Sequence, residues 1–110
     1  MSEFVFLYRN GEKMSAETMQ QQMGKWAAWM KDLGEKGFLT NPGHPLDGSG
    51  KLVTGAHRTV TDGLFAEAKD IIGGYSVVEA KDIAHAVELS MGCPIFAVGG
   101  AVEVRPAMKM

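Results

Sequence analysis

The residues of this chain that can move a proton or hold an anion gather around one stretch, Asp62 to Ala80, DGLFAEAKDIIGGYSVVEA. Histidine is the natural acid or base near neutral pH. His57 stands just before Arg58 and close in sequence to Asp62, so His57 and Asp62 form the first candidate catalytic dyad. His44, between Gly43 and Pro45, is the next histidine that could face Asp62. Asp62 and Glu67 offer a second chemistry, a carboxylate pair in which a low-dielectric site keeps one member protonated. Arg58 and Arg105 can hold an anionic group through forked guanidinium contacts, and Tyr75 can orient a substrate carbonyl.

Each of these residues also has a plainer use. Asp62-Gly63 is a turn signal, because Asp tolerates turn geometry and Gly supplies positive φ. Glu67 can meet Lys69 or Arg58 at the surface, Tyr75 can bury its ring, and Arg105 can pair with a nearby carboxylate. Such pairing is the commoner use of an arginine on a strand, since structural ion pairs perturb sites without doing chemistry. His85 falls in the first turn of a helix, where it should be exposed. Cys93 sits at a helix C-terminus, which disfavours a thiolate, so a buried inert thiol is expected.

Several classes are excluded. The histidines and the lone cysteine form no close cluster and no acidic calcium-type loop is present, so no metal is expected. The Gly-Gly pairs fit neither a phosphate loop nor a dinucleotide fingerprint, so no cofactor is expected. A net charge of −2 leaves no basic footprint for nucleic acid. No apolar run approaches a membrane span. Met-Ser-Glu-Phe lacks the basic start of a signal peptide, so the expected location is the cytoplasm. A single cysteine rules out an intrachain disulfide framework.

The elements that must position these residues follow from pattern. At 110 residues the expectation is one domain spanning 1–110. Phe4 to Tyr8 is apolar on both faces, which predicts a strand covered on both sides. With only two helix candidates, a second subunit is the economical cover, and a chain this small gains from one. Ser15 and Glu17 predict a helix start, and Gly37 its stop. Met19, Met23, Trp26, Met30 and Leu33 step by three and four, predicting one buried face. A second strand opens at Phe38 to Thr40. A short third strand is placed within 51–61, with Gly55 as a bulge or bend. On the next strand Tyr75, Val77 and Glu79 point one way and Ser76, Val78 and Ala80 the other. Asp82 caps a second helix, and Ala101 to Arg105 forms the last strand, with Val102 and Val104 opposite Ala101, Glu103 and Arg105. The order is β-α-β-β-α-β, which suits a split βαβ sheet with both helices on one face.

Asp62-Gly63-Leu64-Phe65-Ala66-Glu67-Ala68-Lys69, followed by Gly73-Gly74-Tyr75, resembles the signature of the YCII-related proteins of the DGPF type, with Leu64 where the family has Pro. Glu79-Ala80-Lys81-Asp82, Cys93-Pro94 and Gly99 through Pro106 extend the resemblance through the second half. It implies a ferredoxin-like α+β fold, an antiparallel sheet with helices on one face, that dimerises through its sheets as an α+β barrel. The resemblance also implies a His-Asp pair with the histidine on the first helix. Residues 15–36 contain no histidine, so His44 or His57 would have to substitute.

Two functions follow as expectations. One is a homodimer that binds a small anionic or carbonyl-containing ligand and acts as a cofactor-independent lyase or isomerase. The other is a non-catalytic ligand-binding or regulatory protein. Fold alone does not choose between them.

Overall fold

A computed structural model describes residues 1–11, 13–63 and 70–110. Strand β1 (Ser2–Arg9) leads to helix α1 (Ala16–Glu35) and strand β2 (Leu39–Asn41). Strands β3 (Lys51–Thr54) and β4 (Thr59–Asp62) precede strand β5 (Ile72–Ala80). Helix α2 (Ile83–Ser90), a 3-10 turn at Pro94–Val98 and strand β6 (Ala101–Pro106) complete the chain. The main sheet runs β2-β5-β1-β6, antiparallel throughout. This is the ferredoxin-like α+β order expected from the sequence.

The alternation of β5 decides its faces. Ser76, Val78 and Ala80 are buried toward the helices, whereas Tyr75, Val77 and Glu79 stay half-buried on the other side. On β1, Phe4, Phe6 and Tyr8 enter the core beside Trp29, Leu33 and Ala86. Val5 and Leu7 take the opposite face and remain half-buried there.

The caps form as read. Ser15 Oγ accepts from Thr18 N at 3.1 Å and starts α1, and Gly37 at φ 80° lies just beyond its end. Two expectations need correction. The buried face of α1 is Gln22, Trp29 and Leu33, with Trp26 and Met30 packed at its margin, while Met19 and Met23 are exposed. The same spacing that joins Met19 to Met23 also joins Gln22 to Trp26 and Trp29. Gln22 can be buried because its Nε2 donates to Pro94 O at 3.2 Å.

The second correction concerns residues 51–61. They do not form one bent strand. Gly55 at φ 75° and Arg58 at φ 54° turn the chain back on itself, and β3 pairs with β4 alone, from Lys51↔Asp62 to Thr54↔Thr59. The hairpin forms a two-stranded sheet apart from the main one.

Candidate functional site

The face of the main sheet turned away from the helices is a grid fixed by register. Tyr75, Leu7 and Glu103 form one row, and Val77, Val5 and Arg105 the next. Arg9 and Ala101 lie at one end of the grid, and Glu3 faces Glu79 at the other. The centre is aliphatic and the rim is charged.

Arg9 joins this grid to a neighbouring cleft. Its Nη2 donates to Glu103 Oε1 at 2.5 Å, and its Nη1 donates to the Asp70 carbonyl at 3.1 Å. Arg105 Nη1 donates to the other oxygen, Glu103 Oε2, at 3.2 Å. The hydrogen bond from Arg9, followed by that from Arg105, holds the Glu103 carboxyl below its ordinary range. Two guanidinium groups around one carboxylate leave a positive charge over on the sheet face, while Asp47 and Asp70 line the cleft beside Arg9. Arg9 also lines a cleft of about 580 Å³ with Leu46, Asp47, Ser49, Ile71 and Ile72.

Tyr75 and His44 are brought together at the other edge of the sheet, with ring centroids 6.2 Å apart at 63°. The segment after β2 makes this possible by following β5. Ser76 Oγ donates to Pro42 O at 2.8 Å, Pro45 bridges to Gly74, and Leu46 N donates to Gly73 O at 2.8 Å. Gly43, at φ 69°, lies so close to the Tyr75 carbonyl that a Cβ would collide with it. His44 itself is exposed beside the tyrosine ring.

His57 and Asp62 do not meet within the chain. His57 and Arg58 are exposed at the tip of the β3–β4 hairpin, whereas Asp62 is at its base, ion-paired with Lys51. Strand β4 separates them by roughly 10 Å at ~3.3 Å per residue. The expected convergence of this dyad on one pocket is therefore absent from the protomer. Glu67 lies outside the described residues. Arg105 is on the grid, paired as the strand pattern allowed.

Arg9 belongs to none of the motifs in the sequence. The signal was present: Val5, Leu7 and Arg9 alternate along one strand, so the guanidinium had to share the face of Tyr75, Glu103 and Arg105.

Other titratable groups serve structure. His85 is half-buried rather than exposed: its Nδ1 accepts from Lys81 N at 3.0 Å and its ring meets Phe38 edge-on. The Cys93 thiol is buried, and burial pushes its pKa up to about 12. Among the described residues no three His, Cys, Asp or Glu come together as a metal site, and no helix is long and apolar enough to cross a membrane.

A family model described as the YCII-related domain matches residues 3–110. The chain belongs to the YCII-related family. No functionally curated protein matches it. Among solved structures, this YCII-related chain is similar to 5-chloro-2-hydroxyhydroquinone dehydrochlorinase from Burkholderia phenoliruptrix AC1100, in complex with 2,5-dihydroxybenzoquinone. The TM-score is 0.58 at 16% sequence identity, over 98% of this chain and 95% of that one. At that identity the likeness establishes the YCII fold alone.

Proposed function

We propose that this protein is a cytoplasmic homodimer that binds a small anionic or carbonyl-containing ligand on the open face of its sheet and carries out proton transfer there without a cofactor. The observation that carries this reading is the Arg9–Glu103–Arg105 cluster, set on the same half-buried face as Tyr75 with His44 at its edge. An aliphatic floor with a few convergent polar groups is the usual make-up of a small-molecule site. Arg9 or Arg105 would hold an oxyanion by exchanging part of its contact with Glu103 for the ligand. Tyr75 would orient the ligand oxygen, and His44 would take or return the proton. His57, Arg58 and Asp62 remain candidates in a dimer, where residues at a distance in one protomer can approach the other.

The fold shared with a dehydrochlorinase holding a dihydroxybenzoquinone supports an oxygen-rich ring as the ligand class and a lyase or isomerase reaction. The sheet face of Val5, Leu7 and Val77, aliphatic and turned away from the helices, supports the dimer, because a second copy would cover it.

A thermal-shift screen against dihydroxyquinones and small carbonyl acids tests the ligand, because a compound that binds only the folded state raises apparent stability. The expected result is a concentration-dependent rise that disappears in Arg9→Ala and Arg105→Ala. Absence of any shift, with turnover also absent, would sink the enzyme reading. A second reading, a non-catalytic ligand-binding or regulatory dimer, is favoured by one observation, the separation of His57 from Asp62. Binding without turnover would select it.

A further inference from the structure

We infer that the β3–β4 hairpin is an intersubunit arm, whose basic tip at His57 and Arg58 docks against the Glu3–Glu79 end of the sheet in a second copy of this chain. The inference rests on the homodimer proposed above and specifies what completes each subunit.

The hairpin is anomalous as a free element. A two-stranded hairpin is marginally stable on its own in water. Its inward face is Leu52 opposite Thr61, both half-buried. Its outward face pairs Val53 with Val60, and these are 59% and 60% exposed. The Lys51–Asp62 ion pair shares that outward face. Arg58 also holds a left-handed backbone, φ 54°, at the tip, uncommon for a residue other than glycine, Asn, Asp or His.

The receiving surface is equally anomalous. Glu3 and Glu79 are opposite one another on β1 and β5, and like charges in that position repel. Among the described residues neither enters an ion pair. The same two carboxylates line a cleft of about 870 Å³ with Met1, Ile83, Met108 and Lys109. Two glutamates against one lysine leave it acidic and partly apolar. His57 and Arg58 supply donors of the opposite character, and Arg58 also enters no ion pair among the described residues.

Two-fold symmetry makes the match possible. The arm is rooted at the Arg9 end of its own sheet, where Leu46 N donates to Gly73 O and Gly63 N to Gly50 O. The Glu3–Glu79 pair lies at the opposite end. An isologous pairing of the open faces, with the strands of the two copies antiparallel, sets the end of the sheet that carries each arm beside the acidic end of the other copy, within reach of the arm's tip. A second copy is the one partner that presents both surfaces reciprocally.

The test mixes two differently tagged chains, one carrying Arg58→Cys and the other Glu79→Cys, co-expressed and treated with a short bismaleimide. Sedimentation at micromolar concentration is read in parallel. The buried Cys93 thiol makes the unsubstituted protein the background control. The expected result is a dimeric species and a covalent heterodimer carrying both tags. A dimer without that link overturns the arm and leaves the homodimer standing. A monomer overturns both. As a second measurement, Arg58→Glu should weaken dimerisation about tenfold and Glu79→Arg in the same chain should restore it. Loss without restoration also counts against the contact.

Discussion

Arg9 Nη2 and Glu103 Oε1 are 2.5 Å apart on neighbouring strands, diagonal to one another on the open face. This ion pair belongs to the sheet as much as to any ligand, so Glu103 should report its own titration in stability. A carboxyl whose folded pKa is depressed contributes stability that is present above its unfolded value and lost as pH falls through the folded value. For Glu103 that window lies below its ordinary 4.5. Wild type should therefore melt above Glu103→Gln at neutral pH, and the two should converge in acid. Raising salt should shrink the difference, because the pair is partly exposed. Melting curves across pH decide it: a gap of constant size from neutral pH into strong acid would mean that Glu103 is not held as a paired carboxylate.

The open face was legible before its chemistry was. Strict alternation in Tyr75 to Ala80 and in Ala101 to Arg105 assigned those side chains to their observed faces: Ser76, Val78 and Ala80 are buried, and Val102 and Val104 pack against the core. What alternation could not give was the partner of Arg9, because that contact depends on strand order, and β1 lies between β5 and β6 only in three dimensions. Sequence alone favours one bent strand over the hairpin for a related reason. Lys51–Thr54 and Thr59–Asp62 have β-prone residues, and propensity does not say whether two runs continue or fold back. On α1 the long apolar Met23 outranked Gln22 in sequence. Gln22 nevertheless takes the buried position, because the Pro94 carbonyl supplies a hydrogen-bond partner. His57 and Asp62 were joined by nearness in sequence, which an intervening strand turns into distance.

Gly43 and Gly24 should respond oppositely to alanine. At Gly43 a Cβ collides with the Tyr75 carbonyl, and φ is 69°. Gly43→Ala should cost about 2 kcal/mol or more, given the cost of a strained left-handed residue, and should loosen His44 from Tyr75. At Gly24, within α1, nothing lies within 4 Å of the added Cβ. Gly24→Ala should stabilise by ~0.5–1 kcal/mol, the usual helix-interior difference. Urea unfolding of both variants checks the pair, and equal effects of one sign would contradict the local geometry described.

Tyr8 packs its ring edge-on against Trp26, with centroids 4.7 Å apart at 87°, and also meets Phe6 and Trp29. Its hydroxyl is buried without a hydrogen-bond partner among the described residues, and burial pushes the phenol above its ordinary range. Ser76 is nearby, and its oxygen keeps lone pairs free to accept while its hydrogen goes to Pro42 O, yet the two hydroxyls do not reach hydrogen-bond geometry. Tyr8→Phe keeps the ring contacts and removes an unpaired buried donor, whose desolvation costs ~1–3 kcal/mol. The variant should be as stable as wild type or more so in urea unfolding. A loss of more than about 1 kcal/mol, the net worth of a typical hydrogen bond, would show that the hydroxyl is paired after all.

Asp82 and His85 cap α2 from both directions. Asp82 Oδ1 accepts from His85 N at 2.8 Å, while His85 Nδ1 accepts from Lys81 N at 3.0 Å. The second bond requires an imidazole with a lone pair on Nδ1, so the side chain acts here as an acceptor. Asp82→Ala should cost ~1 kcal/mol, as loss of an N-cap usually does, and lower Tm by about 4–8 °C in a domain near this size. At position 85 the ranking should follow acceptor capacity. His85→Gln offers an amide oxygen to the same N–H, in the manner of a capping box, whereas His85→Lys offers only donors. Both lose the ring contact with Phe38, so the difference between them isolates the hydrogen bond. Thermal melts in which His85→Lys equals or exceeds His85→Gln would mean that the Lys81 amide does not depend on the imidazole.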